Sequence, residues 1–251
     1  MRTNRRYRTR ATLGGLLALA CLTVLGALAS CGGDRAHREY IIALQGEEKG
    51  MTREEQIAHL TYAISLKPKR VEYWETRGLY RTDLRQFDLA MADLDHAMEL
   101  NPRPYLHYQR GLVMCQRGEY ANSLADFDAA IAGQPENTQF YRGRSLALSA
   151  VHNGRAALDD AEKHIAMMPQ RAEGYYARAK ALMELGRYRD ALPDLDQTIK
   201  MRPELVYPLV AREECHERLG ETAAAAADNA ALARATVEHG GCAMCTDQFR
   251  Y

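Results

Sequence analysis

Downstream of Cys31 the sequence has no dense block of lysine and arginine. Duplex nucleic acid is held by cations that neutralise its phosphates, so the footprint of a nucleic-acid partner is missing. Also missing are a glycine-rich phosphate loop, a Gly-x-Ser-x-Gly elbow and any Cys/His pairing at a recognisable spacing. The histidines, His37, His59, His96, His107, His152, His164, His216 and His239, include no pair four residues apart, as a helical metal site requires, and His216-Glu217 lacks its second histidine. These gaps point away from an enzyme with a pocket, a cofactor and a small-molecule substrate.

Acidic residues are absent from the first thirty positions, where Arg2, Arg5, Arg6, Arg8 and Arg10 precede an uncharged stretch from Ala11 to Ala29. That order is expected of an export signal. It ends in Leu28-Ala29-Ser30-Cys31-Gly32, which resembles the lipobox of bacterial lipoproteins. The resemblance implies cleavage before Cys31 and acylation of its thiol, with 1–30 as signal peptide and 31–36 as anchor and short tether. An uncleaved transmembrane helix is the alternative; Gly14, Gly15, Gly26 and several alanines leave the run only moderately apolar. Arg5-Arg6 matches a twin-arginine signal poorly, because Arg8 stands where an apolar residue would be wanted. Removing the leader leaves 28 basic residues against 33 acidic, a charge near −5. At roughly 3.3–3.6 Å per extended residue, the tether keeps the folded body within about 20 Å of the lipid.

What the chain does have is a period. Pro68, Pro102, Pro135, Pro169 and Pro203 are spaced by 34, 33, 34 and 34 residues. A repeat of that length marks a supersecondary unit that buries its apolar face only by stacking on its neighbours. Between the prolines, small and large apolar residues recur in register: Trp74, Gly78, Ala90, Leu94 and Ala97; then His107, Gly111, Ser123, Phe127 and Ala130; then Tyr141, Ser145, Ala157 and Ala161; then Tyr175, Ala179, Ala191, Leu195 and Thr198. Arg117-Gly118-Glu119-Tyr120 and Leu185-Gly186-Arg187-Tyr188 read as turns, with glycine where a helix ends at positive φ.

This order resembles the tetratricopeptide repeat, in which a large residue opens helix A, small residues sit at the A/B crossing and a proline closes helix B. The resemblance covers 37–235 and implies an all-α fold, a right-handed superhelix of about six helix-turn-helix repeats. The units ending at Pro68 and starting at Leu209 are degenerate, as end repeats are. His164 and Thr198 stand where alanine is usual, which predicts looser packing in their units.

Family members bind extended peptides or partner helices along their A helices. Helical periodicity places Glu72, Glu75 and Leu79, Tyr105, Tyr108 and Leu112, Gln139, Arg142 and Leu146, Glu173, Tyr176 and Lys180, and Tyr207 on one face. Of these, Tyr105, Tyr108, Arg142, Tyr176, Lys180 and Tyr207 are the candidate partner-binding residues, since tyrosine offers area with a polar tip and arginine planar hydrogen bonding. Packing between adjacent A helices is the alternative for each tyrosine. The lysine and asparagine pairs with which some members clamp a carboxylate are replaced by Glu75/Leu79, Tyr108/Leu112 and Arg142/Leu146. The recurring pairs Asp93/Asp95, Asp126/Asp128 and Asp194/Asp196 read as a solvated helix-B face.

The tail, 236–251, carries Cys242 and Cys245. Outside the cytoplasm a local disulfide is the plain reading. A metal site would have His239, Cys242, Cys245 and only Asp247 nearby, and a thioredoxin-like site lacks a preceding strand. Cys115 and Cys215 fall within A helices and read as small apolar residues.

Together these features predict a bacterial envelope lipoprotein, in the outer membrane facing the periplasm because Gly32 and not aspartate follows Cys31. It acts as an adaptor for a protein partner. A pilotin-like assembly factor and a redox or metal module built on Cys242 and Cys245 are the alternative functions.

Overall fold

The computed structural model describes residues 34–238, with side chains as far as residue 234. The signal segment, Cys31, Cys242 and Cys245 lie outside these residues.

The described chain is all-α, built from six helix pairs: α1 (Arg35–Leu44) with α2 (Arg53–Leu66), α3 (Val71–Asp83) with α4 (Phe87–Leu100), α5 (Pro104–Gln116) with α6 (Tyr120–Gly133), α7 (Thr138–Ala150) with α8 (Gly154–Met167), α9 (Ala172–Glu184) with α10 (Tyr188–Met201), and α11 (Tyr207–Arg218) with α12 (Thr222–Glu238). No strand occurs among the described residues. The chain divides into two compact units between Tyr73 and Trp74, within α3.

In the first unit, Asp34 caps α1 by accepting a 3.2 Å hydrogen bond from the Ala36 amide. Thr52 and Glu55 form a capping box at the start of α2, satisfying two amides that the first turn would otherwise leave orphaned. Leu60, Ala63 and Ile64 of α2 are buried with Ala36 and Ala43 of α1.

In the second unit, a continuous core runs through Tyr108, Phe127, Phe140, Leu146, Ala157, Tyr176, Ala179, Leu195 and Ala211. Consecutive A helices touch through aromatic rings: Tyr108 of α5 lies 5.0 Å from Phe140 of α7, centroid to centroid. The closing prolines are tied to the helix that follows, since the hydroxyls of Tyr141 and Tyr175 donate to the Pro135 and Pro169 carbonyls, each at 3.0 Å. Cys115 and Cys215 are buried with free thiols.

The turn inside each of the last five pairs puts one residue in the left-handed region at the same place in the period: Arg85, Gly118, His152, Gly186 and Gly220, with φ of 57°, 80°, 62°, 70° and 75°. The two glycines expected there, Gly118 and Gly186, adopt it without steric cost. Arg85 and His152 adopt the same φ because the repeat geometry imposes it on whatever side chain is present.

Two expectations are corrected. His164 and Thr198 do not loosen their units; they are 2% and 0% exposed. His164 Nδ1 bonds the Thr138 carbonyl at 2.8 Å, and Gly174 supplies the space for its ring, since a Cβ there would come within 2.5 Å of His164 Cδ2. The Thr198 hydroxyl donates to the Asp194 carbonyl at 2.8 Å.

Nor do the recurring aspartates form a solvated face. The first of each pair, together with Asp160 and Asp228 at the same place in their units, is buried against an arginine of the preceding helix: Arg77 on Asp93, Arg110 on Asp126, Arg144 on Asp160, Arg178 on Asp194 and Arg212 on Asp228. Each of these aspartates is at most 7% exposed. Fork-to-fork geometry gives such pairs two charge-assisted bonds at once, which offsets the cost of burying the charges. Arg110, Arg144 and Arg212 also reach back with Nη1 to the exposed Asp95, Asp128 and Asp196 of the preceding repeat, at 2.7, 2.6 and 2.6 Å. At the corresponding place behind Arg178 stands Glu162, which acts on it through space.

Candidate partner-binding site

The six residues proposed to face a partner separate into two groups. Tyr108, Arg142 and Tyr176 are buried, at 2%, 3% and 5% exposure. They pack between neighbouring A helices, so the expectation of an open groove surface is corrected for Tyr108 and Arg142, while Tyr176 reaches solvent only at the floor of a cleft. Arg142 Nη2 donates to the Tyr108 hydroxyl at 3.0 Å, which gives the buried guanidinium a polar neighbour 34 residues away in the chain. Tyr105 remains exposed, its ring 5.8 Å from that of Tyr108. Lys180 and Tyr207 are half-buried.

Tyr176, Lys180 and Tyr207 meet at a solvent-open cleft of about 260 Å³ between α9 and α11, completed by Val206, Val210, Ala211 and Glu214. The rings of Tyr176 and Tyr207 pack edge-on, 4.5 Å apart at 62°. Tyr176 forms the floor, and its burial pushes its hydroxyl far above the usual tyrosine range. Tyr207 stands at the wall; desolvation, opposed by the nearby Arg142 and reinforced by Glu173, pushes its hydroxyl up to about 12. Both rings therefore stay neutral under ordinary conditions and offer apolar area with a polar tip.

The rim carries opposite charges. Lys180 on α9 and Glu214 on α11 occupy equivalent places one period apart, and neither makes an ion pair or hydrogen bond among the described residues. Val210 between them is 50% exposed. Nearby, Glu173 is held by Arg202 at 3.4 Å, so it is already partnered. The cleft is thus an apolar seat with one free charge of each sign, suited to grip one side chain of a polypeptide and to orient its neighbours.

Periodicity picked out Tyr176, Lys180 and Tyr207 but missed Val206, Val210 and Glu214. The signal was available for Glu214, which lies 34 residues after Lys180, and for Val210, one helical turn after Tyr207. Among the described residues no group of three or more His, Cys, Asp or Glu is placed to hold a metal ion.

The tetratricopeptide repeat profile matches residues 172–205, which span α9 and α10. No curated protein matches the sequence at a significant level. Several solved structures share the fold. PilW, described as a widely conserved type IV pilus biogenesis factor, is 18% identical, with 85% of this chain and 98% of PilW covered and a TM-score of 0.70. A tetratricopeptide repeat protein from Parabacteroides merdae is 19% identical, with 89% of this chain and 88% of that one covered and a TM-score of 0.68. YrrB, described as having an unusual peptide-binding site, is 17% identical, with 75% and 97% covered and a TM-score of 0.55. The matched pair α9/α10 is one of six built to the same pattern, so the chain carries a tetratricopeptide repeat at residues 172–205 and has the tetratricopeptide repeat fold along its described residues.

Proposed function

We propose that this chain is a non-catalytic scaffold that binds a protein partner at the cleft between α9 and α11, while an acylated Cys31 holds it at the bacterial cell envelope. The observation that carries the binding role is the meeting of Tyr176, Lys180, Tyr207 and the half-exposed Val210 around an open cleft whose rim charges are unspent. A partner segment with one apolar side chain for the valine and tyrosine walls, an acidic neighbour for Lys180 and a basic neighbour for Glu214 fits this arrangement. Aromatic residues are enriched among the anchors of protein interfaces, and the fixed rings limit the entropy lost on binding. The peptide-binding site named for YrrB supports the same use of the fold.

A comparison of tagged wild-type protein with Val210→Asp and Tyr207→Ala tests this reading in detergent-solubilised envelopes. Specific partners should fall away from both variants while the helical signal and melting temperature hold. Equal recovery of every partner by all three proteins would place binding elsewhere.

The match to PilW across nearly its whole length favours a second reading of the same site, in which the client is a component of a pilus or secretion system that the protein helps to assemble. A secretin-sized or pilin-like species lost from the Val210→Asp variant would identify that case.

A further inference from the structure

The first unit carries a surface patch that the scaffold role does not use. At the end where α1 begins and α2 finishes, Arg35, Lys67, Lys69 and Arg70 are all exposed. Lys67, Pro68, Lys69 and Arg70 line a shallow recess of about 370 Å³. Beside it, Tyr62 and Leu66, one turn apart on α2, are 38% and 41% exposed. The Arg35 guanidinium lies 5.1 Å from the centre of the Tyr62 ring, which joins the basic and apolar halves of the patch. The acids close by are Asp34, whose carboxylate pairs with Lys67, and Glu72.

Where the chain enters this patch decides what covers it. Asp34, where the described residues begin, is fastened twice, by its cap on α1 and by Lys67, which sets it beside the basic loop. The uncharged run Ala11–Ala29 ends five residues earlier and Cys31 three residues earlier. At about 3.3–3.6 Å per residue, either form of membrane attachment holds the start of α1 within about 20 Å of lipid. Cations paired with an interfacial tyrosine and leucine are the composition that settles on anionic headgroups, and a basic patch adds to a lipid anchor instead of duplicating it.

We propose that Arg35, Lys67, Lys69 and Arg70, with Tyr62 and Leu66, form a docking surface for anionic lipid headgroups that lays the first unit against the membrane carrying the N-terminal attachment. The proposal rests on the membrane attachment proposed above, and it adds an orientation and a headgroup preference to it.

The test uses a chain beginning at Asp34, which keeps every described helix and has neither acyl group nor apolar leader. It is sedimented with vesicles of phosphatidylcholine alone and of phosphatidylcholine mixed with phosphatidylglycerol. Partitioning should be more than about tenfold higher on the anionic vesicles and fall as salt is raised. The double variant Lys69→Glu/Arg70→Glu, which leaves the Asp34–Lys67 pair in place, should lose that preference. Arg155→Glu/Lys200→Glu, which reverses two exposed cations elsewhere, should keep it. Equal partitioning on both vesicles, absence of binding to either, or a Lys69→Glu/Arg70→Glu variant that binds as wild type would overturn the proposal. The salt dependence of the wild-type chain decides the matter even if a variant misfolds. Because this chain cannot be acylated, the outcome is separate from that of the anchor, which the mass of the mature N-terminus reports.

Discussion

Nε and Nη2 of Arg144 grip both carboxylate oxygens of Asp160, at 2.7 and 2.8 Å, sixteen residues along the chain. The carboxylate is almost wholly buried and the guanidinium about three-quarters so. Its remaining nitrogen, Nη1, meets Asp128 of the preceding repeat. One side chain therefore fastens its own helix pair and the pair before it.

This arrangement separates two costs. Asp160→Asn leaves a largely buried guanidinium without its buried charge partner and should lower unfolding stability by about 2 kcal/mol, less than for a fully buried pair because Arg144 keeps some water and the exposed Asp128. Asp128→Asn removes an exposed partner and should cost under about 1 kcal/mol. Urea denaturation of the two variants, read at equal slope, checks both.

The left-handed turn positions give a prediction of opposite sign. Arg85 and His152 hold φ of 57° and 62°, where a side chain is strained and glycine is not. Arg85→Gly and His152→Gly should each stabilise the protein by about 1 kcal/mol, since the relief of roughly 1–2 kcal/mol exceeds the added entropy of the unfolded chain. Gly186→Ala, at the same place in its own repeat, should destabilise by a similar amount. Thermal melts of the three variants suffice.

His164 and Gly174 form a matched pair, because the imidazole occupies the space that a Cβ at residue 174 would need. Gly174→Ala should destabilise by about 1–3 kcal/mol through overpacking, and His164→Ala introduced with it should recover part of the loss. Burial lowers the His164 pKa below its ordinary value. The unfolded chain then binds the proton more readily, so stability is complete above the unfolded pKa, near 6.5, and falls as pH drops through it. Chemical denaturation between about pH 7.5 and 5 should show that decline, with a shallower slope in His164→Ala.

Burial also governs the two internal thiols. Cys215 is fully buried, and desolvation pushes its thiol up to about 11. In the folded protein Cys115 and Cys215 should resist alkylation near pH 8 and react once denaturant is added. Mass spectrometry of the labelled chain distinguishes the two states.

Much of the fold was legible because repetition writes each structural need several times. The closing prolines, the small residues at the crossings and the turn glycines Gly118 and Gly186 each encode one local requirement directly. The Arg–Asp ladder was equally periodic, with Arg77, Arg110, Arg144, Arg178 and Arg212 recurring in step with the aspartates. It was misread because a charged residue at helical spacing looks solvated until a partner on another helix is known. The site was half legible for a related reason. Helical periodicity assigns a face, but whether a tyrosine on that face is open or covered depends on the next A helix, which covers Tyr108 and Tyr176 and leaves Val210 bare.

Photo-crosslinking in intact cells tests the central claim most directly, with a reactive residue placed at Val210 in the cleft or at Pro193 on the exposed side of α10. A discrete protein adduct should form from Val210, weakened by Lys180→Glu or Glu214→Lys, and none of that species from Pro193. Adducts of the same species and yield from both positions, or none from Val210 while Pro193 captures a partner, would contradict the claim.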